Sequence, residues 1–377
     1  MTVMPCKTIG IIGGGQLCRM MCLAAKAMGY RVASLDPEPG CPCAQVADVE
    51  ITAGYGDMAA IERLARASDV VTYEFENIDG GALDYLERRA ILPQGSAALK
   101  TSQHRAREKR AILGMGIPVP DFVEIDGGAR SLEERAFFPS VLKTATGGYD
   151  GKGQAVLRSR ADLAAAMEIA ESGECVLEKW VPFDMEISAI VARGAGGEAE
   201  VFPIAENAHA GGILHATIAP ARISQELERR AKSCALKIAE GLGYVGVLAV
   251  EMFVAGGDIC VNEIAPRPHN SGHYTMDACV TGQFEQHVRA VCGLPLGDPS
   301  QHSPAVMVNI LGEHMDASDM SRLDRYLPLL KRGKLHLYGK AEARERRKMG
   351  HVNMLGDVGE SLRAIGESGI WRNARLG

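Results

Sequence analysis

The first hundred residues alternate strand-like runs with amphipathic helical runs, and that alternation restricts the fold more than any other feature of the chain. "TIGIIGGG" reads as a strand ending in a glycine turn, "QLCRMMCLAAKAMG" as a helix closed by Gly29, and "RVASLD" as a second strand. "DVEITAG", the helical "DMAAIERLARAS" and the strand "DVVTYEF" continue the series. Strands separated by helices bury their apolar faces in a parallel sheet covered on both sides, so an N-terminal doubly wound, Rossmann-like α/β unit is expected. A charged helical stretch, "SQHRAREKRAILGMG", then runs into "IPVP", whose prolines mark a boundary. Short strands follow up to "CVLEKWV", and from about Asp184 the pattern reads as antiparallel, ending in the hairpin "GYVGVLAVEMFVAGGDICVNEIAPRP". Across 377 residues this predicts three units, 1–105, 106–183 and 184–377.

Composition removes several classes of function. A formal net charge of −6 gives no electrostatic basis for holding nucleic acid or an anionic membrane. No run of about 18 apolar residues spans a bilayer, and the N-terminus lacks the pattern of a secretory leader, so a cytoplasmic protein is expected. The ten cysteines are dilute, and Cys18, Cys22, Cys175, Cys234 and Cys260 sit in apolar contexts, which predicts reduced thiols. Cys41 and Cys43 form one close pair with no second pair at zinc spacing nearby.

Four stretches carry chemistry. In "GIIGGGQLCRM" the spacing Gly13-x-Gly15-x-x-Cys18 keeps two of the three dinucleotide-fingerprint glycines, and Asp36 ends the second strand. A nicotinamide dinucleotide, another phosphate-bearing ligand and a bare structural turn all remain open there. "VLKTATGGYDGKGQ" has Thr146 and Gly153 where a P-loop needs Gly and Ser or Thr. Its glycines at 147, 148, 151 and 153 instead suit a lid lying flat on phosphates, with Lys143 in reach of the same oxygens. In "VLEKWV", Glu178 to Val181 end a strand that can offer backbone groups to a purine, with Glu186 beyond it for ribose hydroxyls. In the late hairpin, a turn centred on Gly257 sets Glu251 opposite Glu263, on a face expected to hold Ala249, Phe253, Ile259 and Val261. Two such carboxylates repel, so one takes a proton unless a cation lies between them, and Mg²⁺ shared with ATP phosphates would serve. "APRPHNSGHYT" then brings Arg267, His269 and Asn270 close by, groups suited to an anionic intermediate.

Taken together these stretches resemble the ATP-grasp ligases, and among them the 5-(carboxyamino)imidazole ribonucleotide synthetase family of purine biosynthesis. The resemblance runs in order through "GIIGGGQLCRM", "LDPEPGCPCAQVAD", "TYEFENI", "LKTATGGYDGKGQ", "VLEKWVPFDMEIS", "ENAHAGGILHATIAPAR", "VEMFV", "VNEIAPRPHNSGHYT" and "HLYGKAEARERRKMGHVN". It implies an ATP-grasp fold: a preATP-grasp domain, a small central lid domain and a C-terminal antiparallel α+β domain clamping ATP. It implies ATP contacts from Arg105, Lys143, Gly148, Tyr149, Asp150, Gly151, Lys152, Gly153, Gln154, Glu178, Lys179, Trp180, Val181, Glu186, His209, Asn262 and Glu263. Magnesium falls to Glu251 and Glu263. The ribonucleotide falls to Gly15, Gln16, Glu76, Tyr149, Asp150, Lys340 and Arg347, and the bicarbonate-derived group faces Arg267, His269 and Asn270. The implied reaction is ATP-dependent carboxylation of 5-aminoimidazole ribonucleotide through carboxyphosphate, by a homodimer joined through its N-terminal domain. Two positions depart from the family pattern. Cys18 replaces a glycine, which is expected to widen the turn slightly, and His104 replaces an acidic residue. A formate-using glycinamide ribonucleotide transformylase is the related alternative.

Overall fold

In the computed structural model, which describes residues 2–89, 91–148, 152–316 and 323–371, the described residues form three sheets in chain order. The first holds β1 (Thr8–Ile12), β2 (Arg31–Asp36), β3 (Val49–Thr52) and β4 (Val70–Tyr73), all parallel, in the order β3-β2-β1-β4. Alternating side chains split its packing: Ile9 and Ile11 meet α1 (Gln16–Ala27), while Ile12, Ala33 and Leu35 meet α2 (Met58–Ala67) and α3 (Gly80–Arg88). The doubly wound N-terminal unit expected from the sequence is therefore present.

Helices α4 (Ala97–Ser102) and α5 (Arg105–Gly114) lead to the second sheet. It contains β5 (Phe122–Ile125), β6 (Ser140–Thr144), β7 (Gln154–Leu157) and β8 (Cys175–Lys179), in the order β5-β8-β6-β7. Every pairing in it is antiparallel, so the change of pattern comes at Phe122 and not near Asp184. Strands of four or five residues interrupted by helices are too short to display a clear period of two. Helices α6 (Gly128–Arg135) and α7 (Leu163–Glu171) cover one face through Leu132, Leu163, Ala166 and Ala170, packed on Leu142, Leu157 and Leu177. Residues of the opposite parity, Lys143, Val176 and Glu178, are left on the other face.

The third sheet has nine strands: β9 (Met185–Arg193), β10 (Ala199–Val201), β11 (Ala205–Ala210), β12 (Ile213–Ala219), β13 (Gly246–Ala255), β14 (Asp258–Ala265), β15 (Ala305–Leu311), β16 (Gly333–Leu337) and β17 (Lys348–Leu355). Their order is β14-β13-β9-β11-β12-β15-β17-β16, with β10 paired to β9. Helix α8 (Gln225–Gly241), capped by Ser224, lays Ala231, Ala235 and Ile238 on Leu248, Val250 and Met252. The short α9 (Thr275–Ala278) precedes α10 (Gln283–Val291), whose Phe284, Val288 and Val291 pack with Cys18 and Met21 of α1 and so tie the third sheet to the first. Helix α11 (Val358–Glu367) closes the far end around Ile365 and Trp371. All ten cysteines are free thiols and seven are buried, as expected; Cys6 is exposed. Among the described residues no helix is long and apolar enough to cross a membrane.

Candidate active site

Strands β13 and β14 are joined by Gly256 and Gly257, both at positive φ (57° and 86°), a two-residue turn only glycine adopts comfortably. Counting back from it, Val254 pairs with Ile259 and Met252 with Val261; the register then slips by one residue and Glu251 pairs with Glu263. The expected pairing is correct, but it arises from a turn half a residue earlier combined with a bulge at Asn262. The bulge also corrects the neighbourhood. Ile259 and Val261 face the α8 core with Met252 and Val254, leaving Ala249 and Phe253 beside Glu251 on its own strand.

Each carboxylate has a partner of its own: His269 Nε2 lies 3.0 Å from Glu251 Oε1, and Arg105 Nη1 lies 2.9 Å from Glu263 Oε2. Burial pushes the Glu251 carboxyl up, but His269, with His209 and Arg267 nearby, overcomes this and brings it down to about 2. Arg105, the first residue of α5, also reaches the carbonyl of Gly148 at 3.4 Å. One guanidinium therefore touches both the hairpin and the glycine loop.

Lys143 and Glu178 project from the second sheet toward this hairpin. Lys143 Nζ is 2.9 Å from Glu178 Oε2 and 3.3 Å from Asn262 Oδ1. Glu178 is buried, not an exposed strand edge, because Lys109 Nζ lies 3.2 Å from its other oxygen. Burial lowers the Lys143 ammonium, and although burial raises the Glu178 carboxyl, the two lysines bring it below its ordinary value. Beyond Glu178 the chain turns outward: Lys179 Nζ lies 3.4 Å from Asp121, and the exposed Trp180 donates its backbone N–H to Pro139. Val181 is half-buried.

The glycine loop returns on itself through Thr144, whose N–H donates to the Gly153 carbonyl at 2.8 Å. Gly153 has φ +68°, and a Cβ there would lie 2.7 Å from Thr144 Oγ1; at Gly148 the same oxygen would be 3.0 Å away. Lys152 is exposed, and Gln154 opens β7 opposite Lys143. Tyr149, Asp150 and Gly151 lie outside the described residues.

Glu186 on β9 pairs across to Phe253 and Asn207, which places it on the face that carries Glu251. It accepts from His209 Nδ1 at 2.8 Å. Burial alone would lower the His209 pKa, but the hydrogen bond to Glu186 leaves it raised.

The other end of the site joins the first sheet. Arg267 Nη2 lies 2.6 Å from Glu76 Oε1 just beyond β4, while its Nε is buried without a partner among the described residues. Asn270 Oδ1 is buried and equally unpartnered. At the start of α1 the backbone N–H groups of Gly15 and Cys18 are already taken by the buried carboxylate of Glu74. The turn thus does not present both to an incoming anion, as the sequence suggested, and Gln16 stands half-buried between them. Cys18 is accommodated inside the α1 core, away from the mouth of the turn. Asp36, the residue a dinucleotide ribose would need, accepts from the Tyr55 hydroxyl at 2.6 Å. His104 lies 3.0 Å from Glu174. Lys340 and Arg347 belong to a loop docked on the first unit. Gln45 Nε2 donates to Gly339 O at 2.7 Å, Arg347 Nη2 is 3.8 Å from Glu38, and Lys340 Nζ lies 5.8 Å from the Tyr338 ring centre. Cys43 N–H donates to Gly14 O, linking the stretch between β2 and β3 that carries Gln45 to the glycine turn.

Three family descriptions match consecutive parts of the chain. They are a ribonucleotide synthetase preATP-grasp domain (residues 6–103), an ATP-grasp domain (110–284) and a phosphoribosylaminoimidazole carboxylase C-terminal domain (305–365). The N5-carboxyaminoimidazole ribonucleotide synthase of Bacillus subtilis is 49% identical over 94% of this chain and 92% of its own length. The chain belongs to the N5-carboxyaminoimidazole ribonucleotide synthase family. An N5-carboxyaminoimidazole ribonucleotide synthetase solved as its ADP complex superposes with a TM-score of 0.94 at 54% identity, covering 98% of both chains. The Aspergillus clavatus enzyme, solved with ADP and 5-aminoimidazole ribonucleotide, gives 0.88 at 30% identity over 96% of this chain and 97% of its own.

Within this synthase family architecture, three residues near the site were not singled out from the sequence. Lys109 and Glu74 are buried and complete contacts to predicted site residues. Lys348, buried beside Arg347, lies close enough for its charge to act on His209. In sequence, Lys109 and Lys348 are members of charged runs, "RAREKR" and "RERRK", that read as solvated faces; no local pattern marks the buried member.

Proposed function

We propose that this chain carboxylates 5-aminoimidazole ribonucleotide with bicarbonate, consuming ATP and releasing ADP and phosphate, in purine nucleotide biosynthesis. The relatives' names and bound ligands support this reading. The observation that carries it is the Arg267–Glu76 ion pair at 2.6 Å. It brings the segment next to the hairpin carboxylates against the sheet expected to hold the ribonucleotide, so both substrates meet at one guanidinium.

Arg105, Lys143 and the lid backbone would hold ATP phosphates, with Glu178 to Val181, Glu186 and His209 around the nucleoside. Glu251 and Glu263, opposed on one face with Asn262 Oδ1 nearby, offer the oxygen donors that Mg²⁺ takes together with phosphate oxygens. When bound there, Mg²⁺ would neutralise charge on the transferring phosphoryl group. A bicarbonate oxygen attacks the γ-phosphorus, the bond to the β-phosphate oxygen breaks, and carboxyphosphate and ADP result. Carboxyphosphate gives up CO₂ and phosphate, and the exocyclic amine adds CO₂ while losing a proton. Arg267, His269 and Asn270 would face the anionic intermediate, and the family resemblance assigns Tyr149 and Asp150, outside the described residues, to the ribonucleotide. A closed lid keeps water from the intermediate.

The same proposal divides the chain at about 105, within the helical stretch between β4 and β5, and at about 183, between β8 and β9. It places the enzyme in the cytoplasm, consistent with ten reduced thiols. It assembles the enzyme as a homodimer through the N-terminal domain, which sedimentation checks.

Lys340 and Arg347 test the assignment of the second substrate. A lost charged contact to its 5′-phosphate is worth about 1.5–3 kcal/mol, or about ten- to a hundredfold in affinity. Lys340→Ala and Arg347→Ala should raise the Michaelis constant for aminoimidazole ribonucleotide by that factor and the constant for ATP by no more than about twofold. An equal effect on ATP would move these residues to the nucleotide end. Turnover with formate and glycinamide ribonucleotide, in place of bicarbonate and aminoimidazole ribonucleotide, would favour the related transformylase.

A further inference from the structure

Thr72 in β4, Gln94, Tyr244 and His287 in α10 lie in the seam between the first and third sheets, and all four are buried. His287 Nδ1 accepts the backbone N–H of Val247 at 3.1 Å. Burial holds the ring neutral, its pKa pushed down to about 3, so its one proton sits on Nε2 and is donated to Thr72 Oγ1 at 2.7 Å. Thr72 then donates to Gln94 Oε1, and Gln94 Nε2 donates to the Tyr244 oxygen at 2.8 Å. The Tyr244 hydroxyl has two carbonyls in reach, Pro266 O at 2.6 Å and Val247 O at 3.1 Å, and its one proton is donated to the nearer.

The direction of this chain is fixed at both ends. It starts on a backbone N–H, which only donates, and finishes on a carbonyl, which only accepts. Reversing the amide or the ring tautomer would break a link. Gly246 makes the crossing possible: its φ is +126°, and a Cβ would lie 3.0 Å from His287 and 3.2 Å from the Tyr244 hydroxyl. What the chain connects gives it meaning. Thr72, a middle link from the first sheet, lies four residues before Glu76, and Pro266, the last acceptor, immediately precedes Arg267, so the chain bridges the two segments that carry the partners of the 2.6 Å ion pair.

We propose that Thr72, Gln94, Tyr244 and His287 are positioning residues for Arg267. Their hydrogen-bond chain sets the register between the ribonucleotide-binding sheet and the segment that faces the carboxylated intermediate. None of the four need touch substrate. Their effect is to keep Arg267 where carboxyl transfer outruns loss of the intermediate to water. This inference rests on the reaction proposed above.

Tyr244→Phe removes the last donor and the acceptor of Gln94 Nε2 while keeping the ring. Product formation should fall about tenfold, since small displacements of a positioned group are costly in rate, while the Michaelis constant for ATP stays within about twofold. The ratio of ADP released to carboxylated ribonucleotide formed should rise well above the wild-type ratio. Thr72→Val should uncouple in the same way, and Thr72→Ser, which keeps the hydroxyl, should restore coupling; this pair decides the matter if Tyr244→Phe does not fold. Variants with a lowered thermal midpoint but normal coupling, or Thr72→Ser and Thr72→Val behaving alike, would make the chain ordinary interior packing and overturn the proposal. A wild-type enzyme forming no carboxylated ribonucleotide would overturn the reaction itself, and the role assigned to the chain with it.

Discussion

Glu178 has a lysine on each carboxylate oxygen, Lys143 at 2.9 Å and Lys109 at 3.2 Å, and scarcely any contact with water. Two cations on one buried anion leave a net positive charge next to Asn262 and the glycine loop, which suits a site for phosphates. The arrangement is costly to disturb in part: removing one partner of a buried pair costs about 3–5 kcal/mol. Because Lys143 would remain on Glu178, Lys109→Met should fall near the lower end, about 3 kcal/mol, read from urea unfolding. Lys179→Met, removing an exposed pair at 3.4 Å, should cost less than about 1 kcal/mol. Similar small losses in both variants would mean that the Lys109 pair adds nothing. His269 and Arg105 each hold one of the hairpin carboxylates, so both are already paired before any ligand arrives.

At the scale of elements, the hairpin and the glycine loop differ in how far their sequences could be read. The hairpin was legible because "AGGD" fixes a turn and the strands beside it are long. Counting from the Gly256–Gly257 turn alone would set Glu251 opposite Asn262; the pairing with Glu263 needs the bulge, and an extra residue in a strand leaves no signature in polarity. That one residue exchanged Ile259 and Val261 for other neighbours. The helix α5 was legible as a helix but not as a wall of the site. Its buried Glu108 and Lys109 pack against the third sheet, a tertiary contact that no local spacing encodes. At the start of α1 the glycines announced a turn, while its occupant Glu74 follows the end of β4, 56 residues beyond Cys18. The glycine loop makes a prediction of its own. Gly153→Val places a branched side chain at φ +68°, against Thr144 Oγ1 at 2.7 Å from the new Cβ. Turnover should fall about tenfold or more, and the thermal midpoint should shift by no more than about 2 °C, because the loop is peripheral to every core. Full turnover with Val at this position would contradict its closure on phosphates.

The whole molecule is held together by three sheets whose seams contain polar groups, several of them histidines kept neutral. His273, His287 and His351 are fully buried, and burial pushes each well below its ordinary pKa, to about 3 for His287. His351 stacks between His273 and His336 with ring centres 4.6 Å from each. The sign follows directly. Below about pH 6.5 the unfolded chain takes up protons at these rings that the folded chain refuses, so stability falls as pH falls and does not depend on them above about pH 7. Each histidine contributes about 1.4 kcal/mol per pH unit, so three together approach about 4 kcal/mol per unit below pH 6. Urea unfolding followed from pH 7.5 to 5 should show this slope; constant stability down to pH 5 would mean that all three rings take up protons in the folded protein.

The central claim is that both substrates and ATP react at one centre joined by Arg267 and Glu76. It is tested most directly by ADP release measured with Mg²⁺ and ATP when bicarbonate and aminoimidazole ribonucleotide are supplied together, singly or not at all. Fastest release with both present, matched by ribonucleotide that carries labelled carbon from bicarbonate, is the predicted result. Release that ignores bicarbonate, or labelled carbon that never reaches the ribonucleotide, would contradict the account.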